Sequence, residues 1–248
     1  MYFLDTCIFI HATNKSTEWF NKAHKVVFKE EWLTSKVVVE ELEEIHKRRK
    51  LIYSNLISID YEKLEGKKTE DFYNKCIKST LGSNKNDERH LLELYHYILK
   101  ETELNETTIL NEERIKNIQD TVYPLLRVIK VRCGNIVSSF NKDPLYYAKH
   151  VVPEVWNTSG KYLRNQLYRI YGGTQNKEDL RIVTDAALYS HDKNISLDIV
   201  TSDGYLVSVA INIKKTIKDM ELHHIKNKQI HSEIDILHIK NMTTESNT

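Results

Sequence analysis

Apolar residues follow two patterns along this chain. Near its two ends they form short continuous runs: Tyr2-Phe3-Leu4 leads into Asp5, and Leu197-Asp198-Ile199-Val200-Thr201-Ser202 leads into Asp203. Runs of this length, closed by a polar residue, predict buried strands. A further strand is predicted over Ile234-Asp235-Ile236-Leu237-His238-Ile239. Elsewhere apolar residues recur every three or four positions, the period of an amphipathic helix. One such helix is expected from Ser16 or Thr17 to about Glu31, with Trp19, Phe20, Ala23 and Val27 on its apolar side. A short stretch at Trp32-Leu33-Thr34 leads to Ser35, a suitable N-cap, and a helix from Lys36 to about Lys50.

The middle of the chain reads as helices over Asp87–Glu101, Asn111–Arg132 and Ser159–Tyr171. Polar joints fall at Gly82-Ser83-Asn84-Lys85-Asn86 and at Phe140-Asn141-Lys142-Asp143-Pro144. After Gly172-Gly173 a helix capped by Asn176 precedes the Leu197 strand, and another helix follows Gly204. Alternating strands and helices at both ends predict an α/β fold, with a parallel central sheet flanked by helices. The expected organisation is a single domain over residues 1–240, with core segments 1–60 and 173–240. A large helical insertion occupies about 61–172, and a disordered tail covers 241–248.

Carboxylates at the ends of buried strands are costly unless paired or bound to a cation. In an open parallel sheet, ligands gather beyond the carboxyl ends of the strands where the strand order reverses. That rule brings Asp5 and Asp203 together across nearly the whole sequence. Helical phase selects two more acids. Val38, Glu41, Leu42 and Ile45 share one face, which turns Glu41 inward and Glu40, Glu43 and Glu44 toward solvent. Asp179, Ile182, Val183, Ala186 and Ser190 share another, so Asp179 tops an apolar stripe at the start of its helix. Asp185 shares its side with Arg181, Tyr189 and Asp192 and reads as solvated. Singly, each acid has an ordinary explanation as a helix cap, a strand-ending turn residue or half of a surface ion pair. Their joint pattern is the informative feature.

That joint pattern resembles the PIN-domain nuclease family. The matching pieces are Leu4-Asp5-Thr6, Ser35 followed six residues later by Glu41-Leu42, Asp179-Leu180-Arg181-Ile182-Val183, and Val200-Thr201-Ser202-Asp203. They cover residues 1–50 and 175–240, and the middle of the chain lies outside the match. Asp185-Ala186-Ala187-Leu188 also resembles the family's helix-opening motif, so Asp185 stays open as an alternative to Asp179. The resemblance implies a PIN-like fold and a metal-dependent endoribonuclease. It makes Asp5, Glu41, Asp179 and Asp203 the catalytic acids and the ligands of Mg²⁺ or Mn²⁺, with Thr6, Thr201 and Ser202 holding the carboxylates in place. A structure-specific DNA nuclease and a non-catalytic nucleic-acid-binding or scaffold protein are the alternatives. Membership of a toxin–antitoxin pair is open.

Charge and composition limit these expectations. The net charge of +1 gives no global attraction for single-stranded or structured RNA, so any contact with it must be local. Candidates are Arg48, Arg49 and Lys50, then Arg164 and Arg169 interleaved with Tyr168, then Lys214 and Lys215. Each of these also reads as a solvated helix face. The helical insertion is a candidate surface for a protein partner or a second copy. Three scattered cysteines fit buried, reduced thiols and a cytoplasmic protein better than a disulfide framework. The apolar start lacks a basic leader and is expected to be structure; no run approaches a membrane span. Eleven histidines include the adjacent pair His223-His224 but no His-Glu-x-x-His spacing. A Gly-x-Ser-x-Gly turn and a phosphate-cradling glycine loop are also missing from the sequence.

Overall fold

A computed structural model describes residues 1–77, 85–153, 158–171, 177–224 and 233–242. The joints at 82–84 and 172–176, the Asn176 cap and the tail beyond 242 lie outside the described residues, as do the side chains of His223 and His224. The chain forms two compact units. The first comprises Met1–Ala12, Asn21–Glu43 and Ile136–Thr248; the second comprises Thr13–Phe20 and Glu44–Asn135. Residues 136–153 and 158–171, placed by the sequence pattern in the helical insertion, therefore pack with the sheet.

The first unit is built on five parallel strands in the order β3-β2-β1-β4-β5. These are β1 (Tyr2–Leu4), β2 (Trp32–Ser35), β3 (Val151–Val152), β4 (Ser196–Thr201) and β5 (Glu233–His238). Phe3, Leu4, Leu197, Ile199 and Val200 are fully buried, as strands covered on both faces require. Strands β1 and β4 are neighbours, with Tyr2 opposite Asp198 and Leu4 opposite Val200. The chain goes from β1 to β2 and β3 on one side and returns to β4 and β5 on the other. The β1–β4 boundary is thus the point where strand order reverses.

Among the described residues, six helices belong wholly to this sheet unit or nearly so: α1 (Thr6–Thr13), α2 (Phe20–Lys29), α7 (Pro144–His150), α8 (Thr158–Tyr171), α9 (Lys177–Lys193) and α10 (Gly204–His224). Helix α1 is a feature the apolar pattern hid. Cys7-Ile8-Phe9-Ile10 continues the hydrophobic run of β1, yet the strand stops at Leu4 and a helix begins directly after Asp5. Helix α2 starts at Phe20 rather than at Ser16 or Thr17, because Thr17 and Ser16 are held in a turn around Asn14. Strand β3 was likewise illegible: two valines in a helical region become a strand only because β2 offers them an open edge. Asp143 caps α7 by accepting from the amides of Leu145 and Tyr146. Helix α7 then completes an aromatic cluster of Phe9, Trp32, Phe140, Tyr146 and His150, with the Trp32 and His150 rings stacked at 4.1 Å. Helix α9 is followed by Asn194, whose φ of 52° turns the chain back into β4.

The second unit is helical, formed by α3 (Lys36–Ile57) beyond Glu43, α4 (Thr69–Phe72), α5 (Lys85–Glu101) and α6 (Glu112–Lys142) up to Asn135. Its core includes Tyr61, Phe72, Ile77, Leu91, Leu94, Leu110 and Ile118. Asp87 and His90 are among the polar groups buried in it with partners. Asp87 meets Arg48 and Arg49, and His90 is hydrogen-bonded to Tyr53 and Asn14. No helix among the described residues is long and apolar enough to cross a membrane.

Candidate active site

Asp5 stands one residue past the end of β1, where its amide extends the ladder by donating to the Val200 carbonyl at 3.2 Å. Its carboxylate is 5% exposed and accepts from three donors. The Thr6 amide gives 2.6 Å to Oδ1; the Thr201 hydroxyl gives 2.7 Å and the Cys7 thiol 3.1 Å to Oδ2. Burial pushes its pKa above the usual carboxylate value, and these three donors act in the opposite direction.

Thr6 and Thr201 tie the neighbouring acids to Asp5. Thr6 Oγ1 donates to Glu41 Oε2 at 2.6 Å. Glu41 comes from the start of α3, whose N-cap is Ser35, reached by the Val38 amide at 3.4 Å. Thr201 Oγ1, fully buried, accepts the Asp203 amide at 2.9 Å while it donates to Asp5. Asp203 in turn caps α10, accepting from the Leu206 amide at 2.8 Å. Asp179, in the first turn of α9, completes the group. Its pKa rises to about 7, first because it is buried and then because Asp5, Asp203, Glu41 and Glu178 repel its charge. Four acids from β1, α3, α9 and the β4–α10 junction are therefore within electrostatic reach at the sheet's reversal point.

Asp5, Glu41 and Asp203 are each turned onto protein donors. Among the described residues no three His, Cys, Asp or Glu side chains form a group that could hold a metal ion as they stand. The chemistry of the donor set nevertheless fits a hard divalent cation. Asp5, Glu41, Asp179 and Asp203 offer carboxylate oxygens, the donors such a cation takes, and the repulsion that raises the Asp179 pKa is of the sign a cation would relieve.

Asp185 is not a solvated residue as its helical phase suggested; it is 7% exposed. Helix α8 packs on that side of α9. Asp185 acts there on Tyr168, together with Arg164, Arg181 and Glu178, while the Tyr168 hydroxyl donates to the Lys177 carbonyl at 2.9 Å. It is Asp179 that stands with the other three acids.

Ser202 does not hold a carboxylate. Its hydroxyl is hydrogen-bonded to His11 Nε2 at 3.0 Å, and its amide donates to Cys7 Sγ at 3.1 Å. Cys7 and His11 were missed by sequence reasoning. The available signal was their four-residue spacing, which puts Cys7 and His11 on one face of the helix beginning at Thr6.

The basic candidates divide. Arg48 and Arg49 belong to the second unit and are corrected: both ion-pair with Asp87, which is 2% exposed and requires them. Arg164 is half-buried beside Tyr168, and Tyr168 itself is half-buried rather than open for stacking. Lys214 lies 3.2 Å from Asp235 in an exposed pair. Lys50, Arg169 and Lys215 are exposed. Cys7 and Cys133 are free thiols. No protein-family model, curated protein or solved structure matches the chain.

Proposed function

We propose that this chain is a divalent-metal-dependent endoribonuclease with a PIN-like sheet unit. The observation that carries the reading is the gathering of Asp5, Glu41, Asp179 and Asp203 at the β1–β4 reversal point, where Asp179 is driven to about 7 by burial and by the other acids. Buried acids held together against their own repulsion suit a cation, and functional sites are where such perturbed groups concentrate.

Asp5, Glu41, Asp179 and Asp203 would hold Mg²⁺ or Mn²⁺, directly or through water. The bound cation supplies an activated water and offsets charge developing on the phosphorus. The chain's own residues do the positioning. Thr6 fixes Asp5 and Glu41 relative to one another, and Thr201 fixes Asp5 relative to Asp203. Glu41, which accepts from Thr6 Oγ1 through Oε2, would orient the attacking water. Cleavage leaves a 5′-phosphate, as in the family the four acids resemble. Exposed Arg169 and Lys215, both in the sheet unit, are candidate cations for the RNA backbone.

The reading is tested with matched RNA and DNA strands incubated with the full chain and Mn²⁺ or Mg²⁺. Cleavage of RNA within the strand is expected. Cleavage of DNA alone would move the assignment to a DNA nuclease, and no cleavage of either with both metals would favour a binding protein.

A further inference from the structure

We infer that Cys7 and His11 are positioning residues for Asp203, an inference that rests on the nuclease reading of the four acids. Ser202 lies between Thr201, which bonds Asp5, and Asp203, which carries a candidate ligand. Two of its atoms are held by one face of α1. Its amide donates to Cys7 Sγ at 3.1 Å, and its hydroxyl is bonded to His11 Nε2 at 3.0 Å. Cys7 and His11 are four residues apart, so they project side by side from the same helix surface. The opposite surface of α1 supplies Ile8, Phe9 and Ala12 to the core, all fully buried.

The arrangement links the two strand-end acids through a rigid element. Helix α1 begins immediately after Asp5, and the Cys7 thiol donates to Asp5 Oδ2 at 3.1 Å while accepting from Ser202. One turn of helix thus sets the β4–α10 junction against the β1–α1 junction. Aliphatic side chains at positions 7 and 11 would leave the Ser202 amide and hydroxyl without these two partners. Supporting groups of this kind change metal affinity by about ten- to a hundred-fold when removed.

The test uses the full chain with Cys7→Ala, His11→Ala and the conservative Cys7→Ser. Hydrogen exchange is followed at the Ser202 and Asp203 amides, and Mn²⁺ binding is followed by its paramagnetic signal. Faster exchange at both amides and about tenfold weaker Mn²⁺ binding are expected for Cys7→Ala and His11→Ala, with most of both recovered in Cys7→Ser. Unchanged exchange and unchanged Mn²⁺ affinity in the two alanine variants would overturn the positioning role while leaving the nuclease reading intact. Equal losses in Cys7→Ser and Cys7→Ala would also overturn it, since packing alone would then account for the effect. If the unmodified protein binds no Mn²⁺ and cuts no RNA, the nuclease reading fails and the inference fails with it.

Discussion

Thr201 donates to Asp5 Oδ2 at 2.7 Å across the β1–β4 boundary, joining two residues separated by almost the full length of the chain. The same hydroxyl accepts the Asp203 amide at 2.9 Å. Replacing it removes one donor from a buried carboxylate and one acceptor from an amide. Thr201→Val is expected to cost about 1–3 kcal/mol in denaturant unfolding. RNA cleavage should fall with it, whereas Thr201→Ser should retain most of both. Equal stability in the valine variant would show that the hydroxyl holds neither group.

Asp179 sets a pH dependence. Its pKa in the fold is about 7 against 3.8 for the ordinary group, with burial as the leading cause and the other acids next. A raised carboxyl pKa means the folded state binds more protons than the unfolded state between about pH 4 and 7. The contribution to stability is therefore greatest below pH 4 and is lost as pH rises through 7. Partial exposure of Asp179 reduces the full linkage value, to about 2 kcal/mol. In the presence of a chelator, Asp179→Asn should remove this slope and be the more stable protein at pH 8. Urea unfolding of both proteins at pH 5, 6, 7 and 8 measures it. Parallel profiles would mean Asp179 is not perturbed.

Arg48 and Arg49 are expected to support the second unit rather than bind RNA. Asp87→Ala leaves both guanidinium groups without their buried carboxylate, and should destabilise the chain by about 3 kcal/mol. Arg49→Ala should lower the melting temperature without altering the salt dependence of RNA binding. A reduced salt slope in Arg49→Ala would instead return this residue to the substrate surface.

Arg169 and Lys215 are exposed and give the opposite expectation. Charge reversal at either should raise KM for RNA and leave kcat and stability nearly unchanged. Steady-state cleavage at two salt concentrations separates these effects. A fall in kcat with unchanged KM would contradict a phosphate-binding role.

The sequence pattern revealed the parts of this molecule whose period is strong and local. Strands β4 and β5, helix α9 and the inward phase of Glu41 follow from apolar spacing alone, as does the meeting of Asp5 with Asp203 beyond adjacent strand ends. Features set by tertiary context were not legible. Strand β3 exists because β2 has a free edge. Helix α1 was not assigned, because Cys7-Ile8-Phe9-Ile10 runs on from β1 without helical spacing of its apolar residues. Asp185 looked solvated because helical phase cannot show that α8 packs over that face. Arg48 and Arg49 read as a basic patch because their partner Asp87 lies far along the chain. The Cys7–Ser202–His11 contacts were hidden for the same reason.

Holding a divalent cation for RNA cleavage is the role proposed for Asp5, Glu41, Asp179 and Asp203. It is tested most directly by following cleavage of one labelled RNA with the unmodified chain and with Asp5→Asn, each with Mn²⁺ and with excess chelator. Cleavage is expected only from the unmodified chain with Mn²⁺, with at least a hundred-fold loss (about 2.7 kcal/mol of transition-state stabilisation) in Asp5→Asn. Cleavage that persists in chelator, or that survives Asp5→Asn undiminished, would contradict the account.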